Sequence, residues 1–290
     1  MPLVGLEVNL NKNSIVAESF NKTVEAKYNK FLEEHATFDN YEVKIDEEKL
    51  MQEVEGKWLN EAIAGIGNMT PKEYINSLVS LQDLMDFFIE IASVSDVGIP
   101  DIIIDKLKEY GLQAADMLFE FVKENIEMQA DSNSLALSHA VFAIGILKHN
   151  EYKEKLIELL LKYSNEEMIS EAICAAIIEY GDEILRDLIK SFNEAEQELI
   201  KEYLLICIAE ISKRHPSDEV FFLLKNAFRV LENKKVAAEV LGDYGDGRAI
   251  AMLRGYIIKN DKKIDKETFD LIRAVIKKLG GEIDDLVYSN

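Results

Sequence analysis

A short phrase of an acidic residue, tyrosine and glycine recurs along the chain and constrains its fold more than any other feature. Its copies are Glu109-Tyr110-Gly111, Glu179-Tyr180-Gly181 and Asp243-Tyr244-Gly245. Leu279-Gly280 is a weaker copy, and helical stretches between the copies end at Lys148-His149 and Arg214-His215. Anchors at 111, 149, 181, 215, 245 and 280 are separated by 38, 32, 34, 30 and 35 residues. A period in the thirties, with two short helices per unit, predicts an all-α solenoid.

Apolar residues recur at helical spacing from about residue 97 onward, and no long segment alternates with the period of a strand. The pattern predicts amphipathic helices with one buried stripe. Two such stripes are Leu156, Leu159, Leu160 and Tyr163, and Phe222, Leu223, Ala227 and Val230.

The dipeptide Gly245-Asp246 has the composition of a joint between two helices. Glycine ends a helix well because it enters the left-handed region without a steric penalty. Aspartate starts the next helix well because its carboxylate accepts unpaired backbone N–H groups. Gly181-Asp182 offers the same pair one phrase earlier, so we expect both to be joints.

The stretch that follows this joint resembles the HEAT-like repeat first recognised in phycobilisome lyases. The matching residues are Gly245, Asp246, Arg248, Ala249, Ile250 and Leu253, and residues 180–189 form a degenerate copy. The resemblance implies a right-handed α-solenoid of about five or six antiparallel helix pairs over residues 96–290. It does not imply lyase activity, because most proteins with such repeats are binding scaffolds.

Residues 1–95 differ from the repeats, and we expect a helical N-terminal segment that either caps the array or folds into its groove. Helices are expected at 14–35 and 78–95, with an acidic loop at 36–49. Thr70-Pro71-Lys72-Glu73 has the composition of a helix start. Residues 58–75 resemble a phrase from the helical module of some bacterial antitoxins, which implies a regulator paired with a toxin or a DNA-binding partner. The matching residues are Trp58, Leu59, Gly67, Thr70, Pro71 and Glu73.

Composition and charge predict a cytoplasmic protein that does not act generally on nucleic acid. No apolar run is long enough to span a bilayer, no signal peptide is recognisable, and two cysteines give no disulfide framework. The net charge is −21, which repels phosphate backbones. The charge is uneven, since residues 221–280 carry a net +5 and the remainder carries −26. Residues 33–55 hold nine acids against Lys44 and Lys49.

Side chains with catalytic or metal-binding potential occur without a pattern that points to chemistry. Cys174 and Cys207 lie one repeat apart, so we expect small buried side chains that face each other in the stack. Pairs of adjacent acids are expected by chance in so acidic a chain. We therefore interpret them as solvated helix faces rather than as groups for acid–base catalysis. The four histidines are His35, His139, His149 and His215. No two of them have the spacing of metal ligands on one helix. The sequence therefore predicts no catalytic residue, no metal site and no cofactor.

A set of cations at equivalent positions of successive second helices is the best candidate for a binding site. Its members are Arg186, Lys190, Lys225, Arg229, Arg248 and Arg254. In HEAT-like arrays the second helices line the concave face, so these cations would form a ridge that binds an acidic peptide or a phosphate-bearing ligand. The alternatives are ordinary exposed cations paired with neighbours such as Asp187 and Glu194, or a ridge paired with the acidic N-terminal third.

The function that this sequence favours is non-catalytic binding of a protein or peptide partner on the concave face. The first alternative is a protein acting on nucleic acid, of the kind exemplified by HEAT-like DNA glycosylases, although the net charge argues against it. The others are a lyase or chaperone for a tetrapyrrole-bearing protein and the regulator described above. The oligomeric state is left open.

Overall fold

The computed structural model of the chain describes residues 3–35, 47–127 and 134–289. These residues form fifteen α-helices and, within those ranges, no strand beyond an isolated bridge between Ile63 and Met69. The all-α prediction is therefore confirmed. Most of the predicted acidic loop, residues 36–46, lies outside the described residues, and the remainder begins a helix.

The chain divides into two compact units, Met1–His149 and Asn150–Asn290. The boundary predicted near residue 95 falls between two helices of the first unit, and it stays a prediction. The first unit contains α1 (Leu3–His35), α2 (Glu47–Trp58), α3 (Pro71–Ser77), α4 (Leu81–Ala92), α5 (Asp101–Tyr110), α6 (Leu112–Asn125) and α7 (Ser134–Leu147). The second contains α8 (Lys153–Tyr163), α9 (Glu167–Glu179), α10 (Leu185–Glu194), α11 (Glu198–Ser212), α12 (Asp218–Val230), α13 (Lys234–Tyr244), α14 (Ile250–Asn260) and α15 (Lys266–Lys278).

In the first unit, α1 packs against α2 and α4, and α4 packs in turn against α5 and α7. Trp58 at the end of α2 is buried edge-on against Phe20, with ring centroids 5.0 Å apart. Its indole N–H donates to the Ser19 hydroxyl over 2.9 Å, which satisfies the polar end of a buried ring. The Tyr74 hydroxyl donates to the Asn13 side-chain oxygen. These contacts make α1 part of the core of this unit.

The predicted helix start at Thr70 is confirmed as a capping box. The Glu73 backbone N–H donates to the Thr70 hydroxyl over 3.2 Å, and the Thr70 N–H donates to the Glu73 carboxylate over 2.9 Å. Pro71 occupies the first position of α3, where a helix needs no N–H.

The second unit contains two sets of helices that differ in their surroundings. α9, α11, α13 and α15 pack against one another in succession, whereas α8, α10, α12 and α14 each pack against the following or preceding member of that first set. Members of the second set contact one another little. The difference follows from sequence, because α11 is apolar around most of its circumference while α12 has one buried stripe.

The predicted joint at Gly245-Asp246 is confirmed. Gly245 ends α13 with φ 82°, and the Asp246 carboxylate accepts the backbone N–H of Arg248 over 2.9 Å. The joint predicted at Gly181-Asp182 is only half correct. Gly181 has the expected positive φ of 61°, but Asp182 lies inside a 3₁₀ turn and caps no helix. That turn already begins at Gly181, so the aspartate comes one position too late to act as its cap.

Among the helices of the described part of the chain, none is both long and apolar enough to cross a bilayer.

Candidate binding surface on the second unit

The outward side of α12 combines an exposed aromatic ring with cations. The buried stripe of this helix consists of Val220, Phe221, Leu224, Ala227 and Phe228. Phe222 is 57% exposed and Val230 is 62% exposed, so the buried stripe predicted through them was wrong. Phe222 and Arg229 are seven residues apart and therefore share one side of the helix. We call Phe222, Lys225, Arg229 and Val230 the α12 face.

Lys225 lies half-buried at one edge of the α12 face. Its ammonium is 5.8 Å from the Phe221 ring centroid and 6.0 Å from that of Phe222. A cation at this distance from two rings is held mainly by its aliphatic stem and by weak cation–π attraction. Its charge therefore stays available to a ligand.

Arg229 is exposed on the α12 face, and so are Arg186 and Lys190 on α10. Within the described ranges, no carboxylate lies within 4.0 Å of the charged nitrogens of these three side chains. Lys190 nevertheless lines a groove of about 420 Å³ between α8 and α10 that also contains Glu154, Glu158, Asp187 and Glu194. Its surroundings are acidic, but no described carboxylate lies within ion-pair distance of it, so its pairing with Asp187 or Glu194 stays a prediction. Arg229 lies in a stretch of α12 that has no acid after Glu219.

Arg248 is engaged within the protein. Its guanidinium contacts the Asp246 carboxylate and, through the other terminal nitrogen, the Asp218 carboxylate, each at 2.7 Å. It also stacks over the Phe221 ring at 4.1 Å from the centroid. The guanidinium lowers the pKa of Asp246 through these hydrogen bonds. Arg248 therefore joins the start of α12 to the turn before α14, and it is less available to a ligand than a free cation.

Arg254 on α14 is likewise engaged, with the backbone oxygen of Glu282 and the carboxylate of Asp285. It lowers the pKa of Asp285 by donating to it. Arg254 thus holds the segment that follows α15 against α14. The predicted ridge of six cations therefore contains two members with internal ion pairs, and its continuity across α10, α12 and α14 stays a prediction.

The two cysteines lie on neighbouring helices, α9 and α11, and both are buried. The Cys207 sulfur is 3.9 Å from the Cys174 carbonyl oxygen. The neighbouring thiol and burial raise the pKa of Cys207, which keeps it protonated and unreactive. Elsewhere too, the described residues include no group of three His, Cys, Asp or Glu side chains that could hold a metal ion.

Phe222 and Val230 are the members of this surface that sequence reasoning missed. The signal was present, because Phe221 and Phe228 fit the helical stripe of Val220 and Leu224 better than Phe222 does. Because Phe221 and Phe222 are adjacent, either ring could be assigned to the apolar stripe of α12, and the sequence pattern alone does not show which one is buried.

The geometry defines an all-α protein with a mixed aromatic and cationic surface on one helix of its second unit. Comparison of the chain with family models, curated proteins and solved structures finds no match.

Proposed function

We propose that this protein is a non-catalytic binding module that holds a protein or peptide partner on the α12 face. The fold supports the proposal in its general form. Repeated helix pairs, with one set of helices packed in succession and the other flanking it, agree with a HEAT-like solenoid. In such an array the flanking helices present a preformed surface, so binding orders little of the protein itself.

The observation that carries the proposal is the exposure of Phe222 on the same side of α12 as Arg229. A solvated phenylalanine at 57% exposure leaves apolar area in water that a partner would cover. Aromatic residues and arginine are enriched at the centres of protein interfaces. Ordinary surface apolar residues are scattered singly, whereas here Val230 is exposed on the same outward side.

The charge of the α12 face favours an acidic partner. Lys225 and Arg229 have no carboxylate on α12 within the two turns before Val230. A peptide that places an apolar side chain against Phe222 and a carboxylate near Arg229 would satisfy both groups. Arg248 and Arg254 have internal partners, so the surface is less basic than a nucleic-acid groove of the glycosylase kind requires.

The proposal is tested by selecting peptides from a random displayed library on the full-length protein. We expect enrichment of sequences that combine acidic and apolar residues, with binding lost in a Phe222→Ser, Arg229→Glu double variant. Two control substitutions, Met168→Ser and Lys262→Glu, remove an exposed apolar group and an exposed cation elsewhere in the unit. Selected peptides that bind the double variant as tightly as the natural sequence would contradict the proposal.

A further inference from the structure

The first unit contains a cavity of about 330 Å³ that is separate from the α12 face. Side chains of α2, α5 and α7 line it, together with the segment between α4 and α5. Its volume lies at the lower end of the range of sites for small molecules. A site of this size accommodates one small organic molecule more readily than a folded segment of a partner.

Apolar side chains form much of the wall of the cavity, and two of them are partly exposed. Val97 is 41% exposed and Phe142 is 37% exposed, and Ile99, Ile104 and Ile146 also line the cavity. An aromatic ring and branched side chains around a concave space are typical of ligand-binding pockets. These walls would hold the apolar body of a ligand.

Glu55 supplies a fixed carboxylate to the same cavity. Its two oxygens accept the backbone N–H groups of Asp101 and Ile102 over 3.0 and 3.1 Å, across more than forty residues of sequence. This contact caps α5, whose preceding residue Pro100 has no capping side chain. Each oxygen keeps a second lone pair with which to accept a further donor.

His139 on α7 is a third ionisable residue of the lining, besides Glu55 and Asp101. Its Nε2 lies 2.8 Å from the Ser95 carbonyl oxygen, which can only accept, so Nε2 carries a proton. Burial lowers the pKa of His139, so the ring is neutral near pH 7 and its Nδ1 is an acceptor. The polar side chains of the lining are therefore two carboxylates, a neutral imidazole and the amide of Gln52, and its described residues include no lysine or arginine.

We propose that this cavity binds a small organic cation, an ammonium group on an apolar body. The ammonium would lie at Glu55, with Asp101 adding a second negative charge at the rim, and the apolar body would lie between Val97 and Phe142. The carboxylates favour this ligand over an anion. Burial raises the pKa of Glu55, and repulsion by the carboxylates of Asp101 and Asp105 raises it further. A bound cation would relieve that repulsion.

The experiment compares 3-phenylpropylammonium with 3-phenylpropanol, which has the same apolar body without charge. Binding of each to the full-length protein is measured by calorimetry and by NMR shift changes at pH 7. We expect the ammonium compound to bind at least about tenfold more tightly, as a charge-assisted hydrogen bond provides. Phe142→Ala should weaken both compounds alike.

Substitutions of single carboxylates test whether their charge accounts for binding of the ammonium compound. Glu55→Gln should reduce the ammonium affinity to that of the alcohol, and Asp101→Asn, at an exposed position, should reduce it in part. Glu120→Gln removes an exposed carboxylate of α6 outside the cavity and should leave both affinities unchanged. Three results would overturn the proposal. They are equal affinity for the two compounds, failure of both to bind, and an ammonium preference that remains after Glu55→Gln and Asp101→Asn.

Discussion

The guanidinium of Arg248 lies 2.7 Å from the carboxylate of Asp218, thirty residues earlier in the chain, while it also holds Asp246 beside it. This relationship gives the Gly-Asp-x-Arg phrase a structural role. Asp246 caps the turn before α14, and Arg248 fastens that turn to the first residue of α12. The phrase that most resembles a motif is therefore a joint between helices.

Replacing Arg248 with alanine is expected to lower the melting temperature of the second unit slightly. The side chain is half exposed, so solvent screens its ion pairs, and its stacking on Phe221 adds packing. A double-mutant cycle with Asp218→Asn measures the coupling by thermal denaturation. Arg186→Ala, which removes an exposed arginine without a described ion pair, serves as the control and should change nothing. An equal effect of both alanine substitutions would contradict this role.

Two glycines inside helices should respond to alanine with opposite signs. A Cβ at Gly242 would lie 3.0 Å from a methyl carbon of Val275, so Gly242→Ala should destabilise the packing of α13 on α15 by about 1–3 kcal/mol. A Cβ at Gly255 on α14 would meet nothing within 4 Å, so Gly255→Ala should stabilise by about 0.5–1 kcal/mol. Urea denaturation measures both changes. A neutral or stabilising Gly242→Ala would contradict the prediction and show that Val275 shifts to accommodate the added methyl group.

Stability should fall as the pH falls through 6.5 because of His139. Burial lowers its pKa in the folded state below the ordinary value of 6.5, although the Ser95 contact and Asp96 oppose the shift. The unfolded chain then binds the proton first, which decreases the free energy of unfolding at lower pH. His139→Gln should remove this part of the pH dependence.

Denaturation of both proteins at several pH values between 5 and 8 provides the test, and the difference between the two curves isolates His139. Glu55 acts in the opposite direction, because burial raises its pKa and protonation then favours the folded state. Parallel curves for the natural sequence and His139→Gln would contradict the prediction.

Peptide binding on the α12 face should weaken as salt concentration rises, because Lys225 and Arg229 contribute charge at an exposed surface. Arg229→Gln should reduce the salt dependence while retaining an apolar component, and Phe222→Ser should reduce the affinity at every salt concentration. Titrations of a selected peptide at low and high salt distinguish the two contributions. An affinity that is independent of salt would show that the cations do not take part.

Local patterns allowed much of the helical structure to be predicted, whereas long-range contacts did not follow from the sequence. Thr70 with Glu73 and Gly245 with Asp246 satisfy backbone groups within a few residues, so composition alone reveals them. The cap that Glu55 provides to α5 depends on a contact between α2 and a distant helix, and no local signal indicates it. The internal pairing of Arg254 with Asp285 escaped prediction for the same reason.

The measurement that most directly tests the proposed binding surface is hydrogen exchange of the full-length protein with and without a bound, selected peptide. We predict slower exchange in residues 218–230, with the effect lost in the Phe222→Ser, Arg229→Glu variant. Slower exchange confined to other segments, with residues 218–230 unchanged at saturating peptide, would contradict the assignment of the α12 face as the binding surface.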